Sequence, residues 1–339
     1  MNALVHIVVL SWNRAATLLE CLSHIARLDY PNYLVVVVDN GSSDDSVKQV
    51  RSTYPSCRLI LNGSNLGYAG GANRGIEYSL AAGADYVWLL NDDTSVPRST
   101  LTKLIVEAEQ DPTIGALSPL IYYQNEPTRL QFAAGYVNVR SARLRNAKSI
   151  KEANHPSTWE RQVLCGAAML LRATAIRRVG LLNERLFAYW EDFDLSMRVL
   201  SAGMKTRVVC TAKIYHSETL PLVEGRTRAP YYYYLMTRNE FWFWRCHVEG
   251  AIRPMLRSLS CFGAAIAEAA VCRRRGFNAC ADACLDGAWS ALLWTPGSYE
   301  ERRQMPILMR RVFSIRPFLW SALLSGKWKL IIRRALRSP

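Results

Sequence analysis

The sequence lacks the features that mark secreted or membrane-spanning chains. Its 9 cysteines are scattered without the regular spacing of a disulfide framework, so we expect a reduced, cytoplasmic setting. The N-terminus runs from Met1 directly into the apolar residues 5–10, with neither a basic leader nor a small-residue cleavage site, and we expect no signal peptide. Arg257 and Glu268 interrupt the most apolar region, residues 255–271, so we expect no spanning helix, which needs about 20 apolar residues.

Acidic residues are also in short supply. The chain has 28 Asp and Glu against 42 Lys and Arg, a formal net charge of +14. Residues 251–339 hold 15 of the basic and only 5 of the acidic residues. The composition, with 50% hydrophobic residues, excludes disordered and collagen-like classes and can supply a large core. We therefore predict a folded domain at residues 1–250 and a basic, amphipathic helical region at residues 251–339.

Short apolar runs alternate with helical patterns in the first third of the chain. The runs cover residues 4–10, 34–38, 58–61 and 86–90. A run that is apolar throughout is typical of a strand covered on both faces, as in a parallel sheet. The alternation predicts an α/β fold with a mostly parallel, Rossmann-like sheet flanked by helices. In such sheets ligands bind beyond the carboxyl ends of the strands.

Polar side chains directly follow the predicted strands. They are Ser11, Asp39 and the segment 91–93, Asn-Asp-Asp. Each alone is ordinary turn or helix-entry chemistry. Together they bring two or three carboxylates to one sheet edge, where a divalent cation is the usual compensation for their repulsion.

The glycine-rich segment 65–75 lies between the third and fourth strands. It lacks the order of a dinucleotide fingerprint and the Gly-Lys-Ser/Thr of a P-loop, so both common nucleotide motifs are excluded. We interpret it as a flexible segment whose backbone and side-chain amides, Asn73 among them, suit a ligand with phosphates and hydroxyls.

Motifs along residues 4–245 resemble, in order, those of the family 2 glycosyltransferases, inverting enzymes with the GT-A fold. The nearest likeness is to the rhamnosyltransferase-like group that acts on bacterial surface polysaccharides. The motifs are Ser-Trp-Asn-Arg at 11–14, Val-Val-Asp-Asn-Gly-Ser-Ser-Asp at 37–44, Asn-x-Gly-Tyr-x-x-Gly-x-Asn-x-Gly at 65–75, Leu-Leu-Asn-Asp-Asp-Thr at 89–94, Cys-Gly-Ala-Ala-Met-Leu-Leu-Arg at 165–172, Tyr-Trp-Glu-Asp-Phe-Asp-Leu-Ser-Met-Arg at 189–198, His216, and Arg238-Asn239.

The resemblance implies roles for the donor side of the site. Asp39 would recognise the donor's base, Asp92 its ribose, and Asp93 a Mg²⁺ or Mn²⁺ ion on the diphosphate. Asn91 replaces the first carboxylate of the usual Asp-x-Asp motif, which leaves one carboxylate for direct metal binding. His216 would complete the metal shell, although a surface or core role is equally consistent with its position. Arg238 would face the diphosphate, and we add Ser11 and Asn73 to the donor-binding set.

The acceptor side requires a base, because a hydroxyl group loses its proton as it attacks the sugar. Asp192 matches the family's base and lies where Glu191-Asp192 begins a predicted helix, with Asp194 on another face. The alternative is that these acidic residues only complement a helix N-terminus. Glu191, with the small residues Gly166 and Ala167, would contact the acceptor.

The basic region has no catalytic motif. Segments such as residues 327–334 interleave Lys and Arg with Trp, Leu and Ile, a composition typical of helices on an anionic membrane surface. A solvated extension or a homo-oligomer contact is the alternative.

The sequence therefore predicts metal-dependent transfer from dTDP-rhamnose or a UDP-hexose to a glycan or lipid-linked acceptor, at the inner face of the cell membrane and without nucleic acid as a partner. The competing hypothesis is a non-catalytic membrane- or nucleic-acid-binding protein on a degenerate GT-A scaffold.

Overall fold

A computed structural model describes residues 2–147, 149–154, 160–217, 222–223, 227–250 and 252–324. The chain forms two compact units. The first comprises residues 1–138, 143–184 and 191–219, and the second comprises residues 139–142, 185–190 and 220–339.

The first unit contains strands and helices in alternation. Its elements are β1 (Val5–Ser11), α1 (Ala15–Ile25), β2 (Tyr33–Asp39), α2 (Ser46–Thr53), β3 (Arg58–Leu61), α3 (Gly67–Ala81), β4 (Tyr86–Asn91), β5 (Thr94–Ser95), α4 (Thr100–Gln110), β6 (Ile114–Tyr123), β7 (Leu130–Phe132), β8 (Gly135–Asn138), β9 (Arg143–Asn146), α5 (Ile150–Asn154), β10 (Arg161–Val163), β11 (Ala168–Arg172), α6 (Ala173–Val179), α7 (Glu191–Ser201) and β12 (Lys205–His216). A 3₁₀ turn covers Glu184–Leu186. The four strands predicted from apolar runs are confirmed to within one or two residues.

The main sheet has the strand order β3-β2-β1-β4-β11-β6-β12-β5, with β7 paired to β6. Strands β3, β2, β1 and β4 run parallel to one another, and β12 runs parallel to β6. Strand β11 lies between β4 and β6 and runs antiparallel to both. The prediction of a mostly parallel sheet is confirmed. Strands β10, β8 and β9 form a separate antiparallel sheet.

Hydrophobic cores cover both faces of the main sheet, which explains why its strands are apolar throughout. Ile7 and Val9 of β1 belong to one core, with residues of α1 and α4, and Val8 belongs to the other, with residues of α3. Alternate side chains of a strand point to opposite faces, so each face needs its own apolar set.

The glycine-rich segment is helical, and our interpretation of it as flexible is wrong. Helix α3 begins at Gly67 and continues through the segment to Ala81. A Cβ atom at Gly71 would lie 2.5 Å from Leu10 Cδ1, and one at Gly75 would clash with Val8 Cγ1 and lie 3.0 Å from Val38 Cγ2. The glycines therefore allow α3 to pack closely on β1 and β2.

The second unit is mainly helical. Its elements are β13 (Leu222–Val223), β14 (Thr227–Arg228), α8 (Pro230–His247), α9 (Arg253–Arg274), α10 (Asn278–Leu292), α11 (Ile307–Ser314) and α12 (Pro317–Leu324). The predicted helical nature of the basic region is confirmed for its described part, and residues 325–339 lie outside the described residues.

Helix α8 belongs to this unit, although the sequence analysis placed it in the domain at residues 1–250. Its Trp242 stacks on Trp294 with the ring centroids 5.7 Å apart, and its Tyr234 and Leu235 pack with Ala283 of α10. The aromatic side chains of α8 thus form helix core, which moves the boundary toward residue 220.

Helix α9 is long and apolar enough, by length and composition, to cross a membrane, and half of its most apolar 18-residue window is buried. By this criterion Arg257 and Glu268, the charged residues within 255–271, do not exclude a spanning helix on composition. A core helix of a folded protein passes the same test, and the half-buried window of α9 is also consistent with that role.

We predict that Gly75→Ala destabilises the first unit. The added methyl group would be overpacked against Val8 and Val38, which lowers the free energy of unfolding by about 1–3 kcal/mol. The higher helix propensity of alanine offsets at most about 1 kcal/mol of this loss. Urea unfolding should show a lower midpoint for Gly75→Ala. Arg74→Ala, at an exposed position of the same helix, is the control and should stay within about 0.5 kcal/mol of the parent. An unchanged midpoint for Gly75→Ala would contradict the close packing.

Candidate active site

Two acidic residues follow β4 and meet side chains from three other segments. Ser11 Oγ, at the end of β1, donates a hydrogen bond to Asp92 Oδ2 at 2.8 Å. The Arg14 guanidinium spans both acids, with Nη1 3.0 Å from Asp92 Oδ1 and Nη2 3.1 Å from Asp93 Oδ2. His216, the last residue of β12, places Nε2 3.0 Å from Asp93 Oδ1. The structure brings Ser11, Asp92, Asp93 and His216 together, as the sequence predicts.

Burial controls the ionisation of Asp92. Loss of contact with water raises its pKa to about 6; the Arg14 guanidinium opposes this rise and the charge on Asp93 adds to it. The two acids have only 6% of their side-chain surface exposed. The pair therefore depends on positive charge nearby to remain ionised near neutral pH.

The chemistry around His216 fits a divalent cation. His216 Nδ1 lies 2.9 Å from Gln131 Oε1, and its Nε2 lies 3.0 Å from Asp93 Oδ1 and 3.4 Å from Asn91 Nδ2. An imidazole nitrogen and a carboxylate oxygen at this separation are both groups that can bind a divalent cation. Among the described residues no group of three or more His, Cys, Asp or Glu side chains could hold a metal. A site with two protein ligands, completed by substrate phosphates, is the usual arrangement for Mg²⁺.

Asp39 ends β2 beside Ser11, its register partner in β1. Its Oδ2 accepts hydrogen bonds from the backbone N–H groups of Gly41 at 3.2 Å and Ser42 at 3.1 Å. Its Oδ1 is buried and has no hydrogen-bond partner among the residues that the structure describes. A buried carboxylate oxygen of this kind has the capacity to accept a hydrogen bond from a ligand.

Asp192 lies in the first turn of α7, as predicted, and backbone groups hold its carboxylate. The N–H of Gly166 donates to Oδ2 at 2.8 Å, and the N–H of Phe193 donates to Oδ1 at 2.7 Å. Burial raises the pKa of Asp192 to about 6, against the opposing effect of these hydrogen bonds. Asp194 pairs instead with Arg198 at 2.8 Å, which confirms that it serves another face.

Glu191 is buried beside Asp192. Burial, and then the charge of Asp192, raise its pKa well above the usual value. Its Oε2 has no hydrogen-bond partner among the described residues. The carboxyl groups of Glu191 and Asp192 therefore both have raised pKa values, with burial as the main cause, and hydrogen bonds from backbone N–H groups oppose the rise at Asp192.

Gly166 was predicted to contact the acceptor. In the structure its backbone N–H donates a hydrogen bond to Asp192 instead. A Cβ atom at this position would lie 3.1 Å from Asp192 Cβ, so the base approaches the glycine backbone closely. Ala167 follows with 4% exposure, immediately before β11. The small residues thus make room for Asp192 itself.

Tyr68 is a site residue that the sequence analysis did not single out. Its hydroxyl donates to the carbonyl of Gly166 at 3.1 Å. Burial raises its pKa, and the charges of Glu191, Asp192 and, more weakly, Asp92 add to this rise. Asp92 and the acids Glu191 and Asp192 of α7 are therefore all within electrostatic reach of this one side chain of the first unit. The Asn-x-Gly-Tyr motif contains Tyr68 and is the sequence feature that could have identified it as a site residue.

Asn73 is committed to internal partners, contrary to the predicted donor contact. It is 1% exposed, and its Nδ2 donates to the carbonyl of Leu182 at 3.0 Å and to Glu184 Oε1 at 2.9 Å. Its Oδ1 accepts from the Leu182 N–H at 2.9 Å. The side chain holds the segment after α6 in place and has no surface left for a ligand.

Arg238 is likewise committed, within the second unit. It is fully buried, and its Nη1 and Nη2 donate to the carbonyls of Gly297 at 2.6 Å and Leu186 at 2.9 Å, while Nε donates to Asn239 Oδ1 at 2.9 Å. The predicted contact with the diphosphate is therefore replaced by a structural role.

Asn239 supports a strained backbone in the same unit. Its Nδ2 donates to the carbonyls of Leu186, Ala188 and Tyr189 at 2.8–2.9 Å. Three non-glycine residues of this segment, Phe187, Tyr189 and Trp190, have φ values of 64°, 68° and 73°. Each such conformation costs on the order of 1–3 kcal/mol, and the chain runs directly from this segment into Glu191.

Comparison with known proteins identifies the family. The model for glycosyl transferase family 2 matches residues 6–180. Galactofuranosyltransferase GlfT1 of Mycobacterium tuberculosis is 27% identical over 245 residues, covering 68% of this chain and 77% of the relative. The N-acetylglucosaminyl-diphospho-decaprenol L-rhamnosyltransferase of the same organism is 29% identical over 253 residues, covering 66% and 80%. The latter agrees with the expected rhamnosyltransferase-like group.

Solved structures agree with the GT-A fold. The mannosyltransferase PcManGT of Pyrobaculum calidifontis, solved with GDP-Man and Mn²⁺, has a TM-score of 0.53 at 17% identity, over 99% of this chain and 87% of that one. GalNAc-T7, solved with UDP, GalNAc and Mn²⁺, has a TM-score of 0.52 at 16% identity, over 63% of this chain and 43% of that one. Because the family model spans just over half of the sequence, the chain belongs to glycosyl transferase family 2 and is a glycosyltransferase.

Proposed function

We propose that the enzyme transfers a sugar from a nucleoside-diphosphate donor to a hydroxyl group of a lipid-linked glycan, with inversion at the anomeric carbon. The observation that carries this proposal is the state of Asp192. Its half-buried carboxylate has a pKa raised to about 6 and is held by two backbone N–H groups, and its charge and that of Asp92 both act on Tyr68. A single base on the acceptor side is what an inverting transfer requires.

The donor's base would bind at Asp39. The imino N–H of uracil or thymine would satisfy the buried Oδ1, which otherwise has no partner among the described residues. Ser11 and Asp92, hydrogen-bonded to each other at 2.8 Å, would receive the ribose or deoxyribose hydroxyls. The names of the two mycobacterial relatives support dTDP-rhamnose or a UDP-hexose, including UDP-galactofuranose, as donor.

Asp93 and His216 would hold a divalent cation, Mg²⁺ or Mn²⁺. When bound there, such an ion neutralises charge on the leaving diphosphate. Gln131 fixes the His216 ring so that Nε2 faces Asp93. The presence of Mn²⁺ in structures of the same fold supports the choice of metal.

Asp192 acts on the acceptor. It takes the proton of the attacking hydroxyl as the new bond to the anomeric carbon forms and the bond to the diphosphate breaks. Attack on the side opposite the diphosphate inverts the anomeric centre. Burial raises the pKa of Glu191 well above its usual value, which favours the protonated form, and in that form it would donate a hydrogen bond to the acceptor. Ala167 would line the same side, while Gly166 positions the base.

The non-catalytic alternative is less well supported. A degenerate scaffold has no use for a carboxylate at Asp192 that two backbone N–H groups hold in place, or for a buried Asp93 placed 3.0 Å from His216 Nε2. Buried ionisable groups are costly, and they are retained where chemistry uses them.

We also propose that the second unit binds an anionic membrane surface on the cytoplasmic side. Among the described residues, 14 of the 17 exposed large apolar side chains lie in residues 252–323. The same stretch carries ten Arg and five acidic residues. Exposed apolar area flanked by basic side chains is typical of membrane contact, and each basic residue near an anionic surface contributes about 1 kcal/mol.

The base is tested by Asp192→Asn. We expect the release of nucleoside diphosphate in the presence of a synthetic N-acetylglucosaminyl-diphospho-polyprenol to fall by about 10²-fold or more. Donor binding, followed by thermal shift with each nucleotide sugar, should persist, because the proposed donor contacts are made by Asp39, Ser11, Asp92 and Asp93. Glu191→Gln removes the neighbouring carboxyl group at nearly constant size, and as the matched control it should lose less turnover than Asp192→Asn. Turnover of Asp192→Asn above about a tenth of the parent would refute the role.

The pH dependence follows from the same residue. A base with a pKa of about 6 is ionised above that pH and protonated below it, so kcat/KM should be constant near pH 8 and should decline below pH 6. The decline should be at least about tenfold per pH unit, since Asp92 titrates in the same range. A flat profile between pH 5 and pH 8 would exclude Asp192 as the base.

Membrane contact is tested by substitution on α9, because truncation after Gly250 would remove the helices on which α8 packs. Met255 and Leu259 are 61% and 41% exposed and line one apolar groove. Met255→Asp/Leu259→Asp should reduce flotation with phosphatidylglycerol vesicles several-fold. Leu61→Asp, at a position 51% exposed in the first unit, is the control. Unchanged flotation would contradict the proposal, and a loss of dimers in solution instead would indicate an oligomer contact.

A further inference from the structure

Arg14 occupies an unusual position for a residue without an assigned role. Its guanidinium lies against both acids that follow β4, 3.0 Å from Asp92 and 3.1 Å from Asp93. Ser11 Oγ donates to the other oxygen of Asp92, and His216 Nε2 lies 3.0 Å from the other oxygen of Asp93. Among the described residues, the Arg14 guanidinium thus bridges the pair at the position where Asp93 would meet a metal.

The backbone that carries Arg14 is fixed. Asn13 has φ +54°, its N–H donates to Ser42 Oγ at 2.9 Å, and its Oδ1 accepts from the Ser43 N–H at 2.7 Å. The N–H of Ala15 donates to Asp44 Oδ2 at 3.0 Å. The loop after β1 is therefore tied to the loop after β2, and a change at Arg14 is confined to its long side chain.

That side chain has a route outward. It is 32% exposed, whereas the acids beneath it are 6% exposed. The guanidinium is thus more exposed than the acids that it contacts, and rotation about the bonds of its long side chain can change its distance from them. A divalent ion on Asp93 would repel the guanidinium strongly, since unit charges about 4 Å apart interact by several kcal/mol near a protein surface.

We propose that Arg14 is the resident counter-cation of the Asp92–Asp93 pair and that it transfers to the donor's diphosphate when a divalent cation binds at Asp93. The proposal rests on the function proposed above. Guanidinium groups bind phosphate oxygens through two parallel N–H donors, so the diphosphate offers Arg14 a replacement for the contact it loses. The metal and the donor then bind together, and the bare metal binds poorly because it must first displace Arg14.

The test measures Mn²⁺ binding by electron paramagnetic resonance of the free ion, with no turnover required. Without nucleotide, Arg14→Gln should bind Mn²⁺ about tenfold more tightly than the parent, because the competing charge is gone. With saturating Mn²⁺, its affinity for UDP or dTDP should fall about tenfold, because the phosphate contact is lost. Arg14→Lys, which keeps the charge but not the paired donors, should leave Mn²⁺ binding close to the parent's while still weakening nucleotide binding.

Asp93→Asn separates this proposal from the one on which it rests. If the parent and Arg14→Gln bind Mn²⁺ no better than Asp93→Asn does, the metal site at Asp93 is wrong and both proposals fail. If Asp93→Asn loses Mn²⁺ but Arg14→Gln binds it no more tightly than the parent, the metal site stands and the role of Arg14 is overturned. Circular dichroism and melting temperature confirm that each variant is folded, and Arg14→Lys supplies the nucleotide readout should Arg14→Gln fail to fold.

Discussion

The charge of two adjacent buried carboxylates is the constraint on which the first unit's site depends. Asp92 and Asp93 follow a central strand and are withdrawn from water, so each raises the free energy of the other. Groups from separate segments contact these carboxylates. They are a hydroxyl at the end of β1, a guanidinium in the next loop and an imidazole at the end of β12. The parallel strands matter because they deliver these groups to one edge.

The acids of α7 are handled by the opposite strategy. Burial raises the pKa of Glu191 and so favours its neutral form, and backbone N–H groups support the carboxylate of Asp192. The Arg14 guanidinium and the Ser11 hydroxyl contact the first pair, while backbone hydrogen bonds support the second. This difference suits their proposed tasks, because a metal site needs permanent negative charge and a general base needs a pKa near the working pH.

The sequence predicted the strand ends well and the side-chain partners poorly. Apolar runs located the first four strands, so Ser11, Asp39 and Asp92 could be placed at one edge without coordinates. The glycine-rich helix was missed because glycines that permit close packing look the same in sequence as glycines that permit flexibility. Asn73 and Arg238 were misassigned because a motif shows which residue types recur but not whether they face a ligand or the backbone. Arg14 stood within a recognised motif, yet its partner 79 residues away becomes visible only in the fold.

The segment ahead of α7 depends on one side chain for its conformation. Left-handed residues at Phe187, Tyr189 and Trp190 persist because Asn239 binds the carbonyls between and before them. Such conformations persist only where neighbouring contacts over-determine the backbone, and a single buried amide supplies three of those contacts here. The shape of this segment is therefore set by a residue 50 to 53 positions further along the chain and not by the segment's own bulky side chains.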